Sequence, residues 1–212
     1  MIFSPYSCVR IVLGFLVLWG CKRLIKRSKS THKRFWAVCA VVAASAVVFA
    51  AGFAPVENAF MTFSTPEAVL KYCSGEKMKA IIRGEHSALT ISEDDEYRML
   101  PKSENGWKIG VGPEIKYVYS ETSGYLSINV FEHRGSNDQY VCVASLDGKN
   151  LIVQDNRASK FYRFVSMQAA NGDTYYAYCA YVDELGADYM LTANGTEIDI
   201  PDLQEAASSS NG

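Results

Sequence analysis

The chain has 212 residues, of which 49% are hydrophobic and 21% are charged, and its formal net charge is −2. This sum conceals two oppositely charged parts, because residues 1–56 hold 8 Lys/Arg and no Asp/Glu, whereas residues 57–212 hold 13 Lys/Arg and all 23 Asp/Glu. Binding to a phosphate backbone depends on a basic surface. The second part, with a net charge of −10 (13 against 23), is therefore not expected to bind nucleic acid.

The first apolar segment runs from Ile11 to Gly20. Ten helical residues cannot cross a bilayer core of about 30 Å, although residues 1–21 together can do so if Arg10 extends toward an interface. Two spans joined by a basic hairpin would give a two-pass protein. A translation start near Leu24 would instead make this segment a start-site artefact, and the sequence leaves both interpretations open.

A second apolar run, from Phe35 to Val56, has 22 residues without a charge, and Ser45 is its one clearly polar side chain. A helix of this length, with no polar face, is long enough for a bilayer core of about 30 Å. The seven Lys/Arg of residues 22–34 indicate a cytoplasmic flank. The sequence thus predicts a basic cytoplasmic block within residues 1–34, a transmembrane anchor at 35–56, and a C-terminal domain outside the cytoplasm.

Cleavage of this anchor depends on the residues that follow it. A signal peptidase prefers small residues at the A-x-A positions, and here Gly52 and Ala54 are followed directly by Pro55. The run is also longer than the roughly 7–15 apolar residues of an ordinary signal peptide. We expect an uncleaved signal-anchor, with a secreted domain as the alternative. A basic start, an apolar anchor and a β-rich domain are together typical of small exported proteins of the bacterial envelope.

A short helix is predicted in the stretch FSTPEAVLKYC. Ser64 or Thr65 can accept backbone N–H bonds as the N-cap, and Pro66 suits the first helical turn. Glu67 places a negative charge near the positive end of the helix dipole, and Gly75 supplies a stop. We expect this helix of about two turns to cover a sheet.

From Lys79 onward, apolar residues alternate with polar ones, as expected for strands with one wet face. In YLSINVF, for example, Leu126, Ile128 and Val130 alternate with Ser127 and Asn129. Turn residues such as those in EDDE, ENG, RGSND and DGKN separate the runs. The predicted strands are AIIR, ALTIS, YRML, WKIGV, IKYVYS, YLSINVF, YVCVASL, LIVQ, FYRFVSM, TYYAYCAYV, DYMLT and TEIDI.

These patterns predict a mostly β (α+β) fold, with an N-terminal transmembrane helix, one short helix and an antiparallel β meander closed as a sandwich or barrel-like sheet. Residues 57–202 would form one extracytoplasmic domain, and residues 203–212 a disordered tail. The strand TYYAYCAYV is apolar on both faces, so we expect it at the centre of a sheet. Its tyrosines are then core residues rather than a platform for sugars or peptides.

Three cysteines follow the anchor, namely Cys73, Cys142 and Cys179, and they permit at most one internal disulfide. None belongs to a C-x-x-C motif, which argues against a zinc knuckle or a thioredoxin-like redox pair. Cys142 and Cys179 lie in strong strand patterns, so either both are buried inert thiols or these two form the disulfide.

The candidate catalytic residues are few. His86 and His133 each follow a glutamate, Glu85 and Glu132, but neighbouring residues of a strand face opposite sides, so these dipeptides are poor catalytic pairs. A nucleophilic pair of Cys73 with His86 remains open, because catalytic groups need only be close in space. No H-E-x-x-H zinc motif is present.

The acidic stretch EDDE, residues 93–96, lacks the alternating ligands of a calcium loop and is interpreted as a solvated hairpin turn. DGKN, residues 147–150, is interpreted in the same way. The chain has no P-loop, no dinucleotide-binding G-x-G-x-x-G and no G-x-S-x-G. We therefore predict no catalytic residue, no cofactor site and no metal site.

Three functional hypotheses follow. The first is a non-enzymatic, membrane-anchored module that binds an envelope protein, a peptide or a glycan through its sheet faces or loops. The second is an envelope hydrolase that uses dispersed carboxylates such as Glu85, Asp94 and Asp95. The third is an accessory or sensing subunit of a membrane complex, in which Ala40 with Ala44, and Ala46 with Ala50, pack on a partner helix.

Overall fold

The chain folds as two compact units, Met1–Gly75 and Glu76–Gly212, which we name the helical unit and the strand unit. The mostly β composition is confirmed, since 40% of the residues are in strands, 33% are in helices, and the sheets are antiparallel. The predicted domain limits at 57 and 202 stay a prediction, and the predicted tail at 203–212 lies outside the described residues. The computed structural model describes residues 5–27, 32–53, 55–73, 75, 77–110, 115–123, 126–146, 148–168, 172–183, 185–186, 188–198 and 200.

The helical unit begins with two long helices that pack against each other. Gly14 marks their close approach, because a Cβ at that position would lie 2.8 Å from Val48 Cγ2. Ala44 is buried in the second helix. Of the small residues of the Ala-rich run, Ala44 is thus buried within this unit, whereas Ala46 and Ala50 are exposed. The elements of this unit are α1 (Pro5–Arg27), α2 (Lys33–Phe53), a 3-10 turn (Val56–Ala59) and α3 (Pro66–Cys73).

The predicted transmembrane anchor at 35–56 is wrong. No helix in the described part of the chain combines the length and the apolarity that a bilayer crossing requires. The prediction treated all 22 uncharged residues as one helix, whereas α2 ends at Phe53 and Val56 begins a 3-10 turn. The interpretation of α1 as a second span fails as well, because Arg10 is buried and pairs with Glu57 instead of extending toward an interface. The predicted signal-anchor is wrong for the same reason, whereas the predicted location of residues 57–202 outside the cytoplasm stays a prediction.

Helix α3 lies where its capping pattern placed it. The Ala68 N–H donates to Thr65 Oγ1 over 3.2 Å, so Thr65 acts as the N-cap. At the other end, Gly75 has a φ of 66°, and its N–H donates to the Leu70 carbonyl over 3.3 Å. This left-handed residue closes the helix, as expected of a C-terminal glycine.

Each of the predicted strand runs contains or overlaps a strand of the structure, because the alternating pattern is a local property of the sequence. The strands are β1 (Met78–Arg83), β2 (Ser87–Ser92), β3 (Tyr97–Ser103), β4 (Gly106–Trp107), β5 (Ile115–Ser123), β6 (Leu126–His133), β7 (Gln139–Leu146), β8 (Val153–Asp155), β9 (Tyr162–Gln168), β10 (Thr174–Val182), β11 (Leu191–Ala193) and β12 (Thr196–Ile198).

The strands form three antiparallel sheets, with the orders β1-β2-β3-β4, β5-β6-β7-β10-β9 and β12-β11-β8. The predicted single meander is correct within β1–β4 and within β5–β7 but fails after β7. The three-residue strand β8 follows β7 in the chain but pairs with β11, outside the five-stranded sheet. Val153 of β8 is buried in a hydrophobic core there. Strand β10 then takes the position beside β7.

The central strands of the five-stranded sheet, β6, β7 and β10, are buried on both faces. One face packs its even-numbered β10 residues, including Tyr178, into a core shared with β8 and β11. The other face packs Phe131, Tyr140 and Tyr181 into a core shared with β1, β2 and β3. Strand β10 lies between β7 and β9, so its predicted central position is confirmed. Its aromatic side chains contribute to both cores.

The predicted disulfide is also confirmed. Cys142 and Cys179 face each other across β7 and β10 as direct partners, with their Cα atoms 4.1 Å apart. Both residues are buried. Cys73 is outside this disulfide, in the helical unit.

Candidate functional site

A polar cleft of about 520 Å³ opens in the strand unit where several turns meet. The turn between β1 and β2 forms one wall, and the turn between β6 and β7 forms another. The ends of β3 and β10 complete the lining. The residues that line it are 85–86, 101–102, 133, 135–138 and 183. Turns between rigid strands commonly carry binding groups, because the frame holds them in place.

Asp138 lies at the base of this cleft and is only 2% exposed. Its Oδ2 atom accepts two hydrogen bonds, from the His86 backbone N–H at 2.8 Å and from Ser87 Oγ at 2.7 Å. The Tyr140 hydroxyl lies 2.8 Å from Ser87 Oγ. Because the Ser87 proton is directed at Asp138, Tyr140 donates to Ser87. One oxygen of Asp138 is thus well satisfied.

The other oxygen of Asp138 is poorly satisfied. The Tyr181 hydroxyl lies 3.4 Å from Asp138 Oδ1 and 3.2 Å from Asp183 Oδ1. A hydroxyl has one proton, so two carboxylates compete for it. Burial raises the pKa of Tyr181, and the charges of Asp138 and Asp183 raise it further, which keeps the phenol protonated. Asp138 Oδ1 therefore has room for a further donor.

Within the described part of the chain, no Lys or Arg forms an ion pair with Asp138. A buried carboxylate is costly unless it is paired or fully hydrogen-bonded. The ammonium group that lines the cleft, on Lys102, instead donates to the Glu85 carbonyl over 3.2 Å. The cleft combines this one ammonium with the carboxylates of Glu85, Asp138 and Asp183.

Gly84 explains how the β1–β2 turn approaches Asp138 so closely. A Cβ at position 84 would lie 2.6 Å from both Asp138 Oδ2 and the Tyr140 hydroxyl, and 2.8 Å from a Tyr181 ring carbon. The absence of a side chain at this position lets the turn place the His86 N–H on Asp138. A single methyl group would push the turn away.

His133 lines the same cleft and is 7% exposed. Its Nδ1 atom lies 2.9 Å from Ser136 Oγ, and among the described contacts only this ring nitrogen is hydrogen-bonded. Burial lowers the pKa of His133, a nearby carboxylate on Asp138 opposes the shift, and the imidazole of His86 adds to it. The imidazole is therefore held mainly neutral near pH 7, with its Nε2 atom available to a ligand.

The structure brings some of the predicted residues together. Glu85 and His86 both line the cleft, with His86 Nε2 3.9 Å from Glu85 Oε1. The interpretation of these two as strand neighbours was wrong, because they lie in the turn between β1 and β2. Glu132, in contrast, pairs with Lys116 at 3.8 Å on the adjacent strand, while His133 contacts Ser136.

Other predicted residues lie elsewhere. Asp94 and Asp95 belong to the turn between β2 and β3, where Asp95 pairs with Lys79 at 2.8 Å. The carboxylates named for a hydrolase thus do not share a cleft, because only Glu85 lines it. Cys73 belongs to the helical unit, so its pairing with His86 stays a prediction. Asp147 lies outside the described residues, and Gly148–Asn150 form a 3-10 turn.

A search of the described residues finds no cluster of His, Cys, Asp and Glu that could hold a metal ion. Sequence reasoning missed Asp138 and Asp183, although the stretch RGSND was recognised as a turn. Nothing in the spacing of the sequence indicates that this turn meets the one containing His86. No model of a known protein family, no curated protein and no solved structure matches the chain, so its function must be argued from the cleft.

Proposed function

We propose that the strand unit is a binding module that takes a ligand into the polar cleft. The observation that supports this most directly is Asp138, a carboxylate that is 2% exposed and still lines a cavity. One of its oxygens receives only a shared proton from Tyr181 at 3.4 Å. The cleft volume of about 520 Å³ lies in the range of small-ligand sites, roughly 300–1,000 Å³. A ligand donor would complete the hydrogen bonding of the carboxylate.

The chemistry of the lining favours a peptide over a glycan. The described lining offers carboxylates, imidazoles, an ammonium, a hydroxyl and an amide, and it includes no side chain of Phe, Tyr or Trp. The tyrosines that would supply a sugar platform belong instead to the sheet cores, as Tyr178 and Tyr181 show. A peptide backbone has the donors and acceptors that such a polar wall can bind.

The predicted location of this unit outside the cytoplasm is likewise a proposal. The Cys142–Cys179 disulfide supports an oxidising compartment, because disulfides persist there and are rare among reduced cytosolic proteins. Thiol labelling of protein taken directly from its source cells, with and without reduction, tests this. Labelling of Cys142 and Cys179 without reduction would contradict an oxidising location.

The binding function is tested by amide chemical shifts of the full chain during titration. The probes are blocked tripeptides with a neutral, an acidic or a basic central residue, together with the neutral sugar chitotetraose, each added to millimolar concentration. We expect at least one peptide to shift the amides of His86, Ser136 and Asp138 at low concentration. Shifts caused by chitotetraose alone would favour a glycan.

A blocking variant makes this test specific. Asn137 is exposed at the rim of the cleft, so Asn137→Trp fills the opening while leaving the buried contacts of Asp138 in place. Gln154→Trp adds the same ring at an exposed position of β8, outside the cleft lining, and is the matched control. Binding lost in the first variant and kept in the second supports the proposal. A cleft that no probe perturbs overturns it.

A further inference from the structure

We infer that the polar cleft recognises the primary ammonium group of a lysine side chain on a peptide. This inference rests on the proposed binding function and specifies its ligand class. The hydrogen bonds, charges and size of the cleft support it. The experiments below distinguish a failure of the lysine specificity from a failure of the binding function.

Two carboxylates of the cleft compete for one hydroxyl proton. Asp138 Oδ1 and Asp183 Oδ1 lie 3.4 Å and 3.2 Å from the same Tyr181 oxygen, which has one proton for both. Both carboxylates line the cleft. An ammonium group has three N–H donors. One such group placed beside the Tyr181 hydroxyl would donate to both carboxylates at once.

The charged groups of the cleft favour a cationic ligand. The titratable and charged groups of the described lining are Glu85, His86, Lys102, His133, Asp138 and Asp183. Three carboxylates of the lining face one ammonium, and that ammonium on Lys102 is hydrogen-bonded to the Glu85 carbonyl. A cationic ligand would balance this excess of negative charge. An anionic ligand would add a further charge beside the buried carboxylate of Asp138, which is unfavourable.

The arrangement of the acceptors in the cleft favours an ammonium ligand over a guanidinium ligand. Arginine binds a carboxylate most strongly when its planar fork reaches both oxygens of the same group. Asp138 cannot offer both, because its Oδ2 atom already accepts hydrogen bonds from the His86 N–H and Ser87 Oγ. The open acceptors belong to two different residues, Asp138 and Asp183. The compact ammonium of lysine suits this arrangement better.

The size and the polar walls of the cleft favour an ammonium group that belongs to a peptide. The cleft, at about 520 Å³, is much larger than one ammonium group. Its remaining walls carry polar groups on His86, Ser136 and Asn137, and His133 has an Nε2 atom with no hydrogen bond among the described contacts. These groups match the N–H and C=O groups of a peptide backbone on either side of a lysine. A small free amine would leave them unused.

The test compares four probes by calorimetry with the full chain. They are the blocked tripeptides Gly-Lys-Gly, Gly-Arg-Gly and Gly-norleucine-Gly, and free butylamine. We expect the lysine peptide to bind at least about tenfold more tightly than the norleucine peptide, since hydrogen bonds to charged groups are among the stronger ones. Equal binding of these two, or tighter binding of the arginine peptide, overturns the ammonium inference and leaves the binding function standing. Butylamine that binds as tightly as the lysine peptide overturns the peptide assignment.

Two variants locate the contact. Asp183 is exposed, so Asp183→Asn removes a carboxylate of the cleft without disturbing the core. Asp188→Asn removes an exposed carboxylate that pairs with Arg157 outside the cleft lining, which makes it the matched control for net charge. We expect the first variant to weaken the lysine peptide about tenfold and the control to have no such effect. Equal affinities in both variants contradict the site, and a cleft that no probe perturbs contradicts the binding function itself.

Discussion

Among the described residues, each unit buries one carboxylate almost completely, and the two carboxylates have different partners. In the helical unit, Glu57 is 0% exposed and receives both arms of the Arg10 guanidinium, with Nη2 3.1 Å from Oε2, and the Tyr72 hydroxyl at 3.2 Å. In the strand unit, Asp138 is 2% exposed and receives only neutral donors. One buried charge is matched inside the protein, and the other is not.

The difference shows how a structural charge is distinguished from a charge available to a ligand. Burial alone would raise the pKa of Glu57, but the Arg10 hydrogen bond, aided by a backbone hydrogen bond, by the Arg10 charge and by Tyr72, lowers it overall. Its contribution to stability is therefore present above the ordinary pKa of 4.5 and is lost as the pH falls. Asp138 has no such cation in the described part of the chain, and it lines a cleft that an external cation can enter.

The largest expected effect comes from breaking the matched pair. Arg10→Met leaves Glu57 buried without its cation, which we expect to lower the free energy of unfolding of the helical unit by about 3–5 kcal/mol. Arg27→Met, at an exposed position of the same helix, is the control and should change it little. Urea unfolding followed by amide exchange of α1 and α3 measures the effect. Equal stability of the two variants would show that Glu57 is not held by Arg10.

A smaller effect is expected from Gly84→Ala at the unmatched carboxylate. The added methyl would meet Asp138 Oδ2, the Tyr140 hydroxyl and a Tyr181 ring carbon at 2.6 to 2.8 Å, and such overpacking costs about 1–3 kcal/mol. We also expect it to displace the His86 N–H and weaken ligand binding. Gly20→Ala, where a Cβ meets no atom within 4 Å, is the opposite case and should stabilise α1 by up to about 1 kcal/mol. Thermal unfolding of both variants provides the comparison.

The pH dependence of the strand unit should depend on His133. The pKa of His133 is lowered in the folded state. Below the ordinary pKa of 6.5, the unfolded chain therefore binds a proton at His133 more readily than the folded chain does. Stability should therefore be full above that pH and fall as the pH is lowered. His133→Asn should reduce this loss between about pH 7.5 and about pH 5.5, as measured by urea unfolding at each pH. An unchanged loss in His133→Asn would contradict the assignment.

The smallest change in stability is expected for Asp138→Asn. The amide oxygen can keep the bonds to Ser87 and to the His86 N–H, while the amide N–H₂ replaces the poorly satisfied oxygen and donates to the Tyr181 hydroxyl, which donates to Asp183. Removing a buried charge that has no internal cation should change the free energy of unfolding by less than about 1 kcal/mol. Binding of a lysine peptide should nevertheless be lost. A loss of stability as large as that of Arg10→Met would make the two carboxylates equivalent.

Part of the strand unit was predictable from single residues and short patterns. The alternation of Leu126, Ile128 and Val130 located β6, and the apolar character of both faces of residues 174–182 placed β10 at the centre of a sheet. The sequence offered two alternatives for Cys142 and Cys179, buried thiols or a disulfide with each other, and the structure has the disulfide. Such patterns are readable because the side chains of a strand alternate whatever its neighbours are.

The candidate site was only partly predictable. His86 and His133 were recognised as the histidines of this region, but Asp138 and Asp183 were not recognised as their neighbours in the cleft. These residues come from separate turns and strand ends, and nothing local to any of them signals the meeting. The predicted membrane helix was wrong as well: the uncharged run was treated as one helix to Val56, whereas α2 ends at Phe53 and a 3-10 turn begins at Val56.

The sequence by itself determined the strand segments, the capped helix α3 and the charge contrast between the two parts of the chain, because each depends on residue types at short spacing. Only the tertiary structure decided the sheet order, the pairing of Arg10 with Glu57 and the isolation of Asp138 from any described cation. Those features depend on which segments, far apart in the sequence, pack against each other and exclude water. Burial makes a carboxylate a structural partner in one unit and an open acceptor in the other.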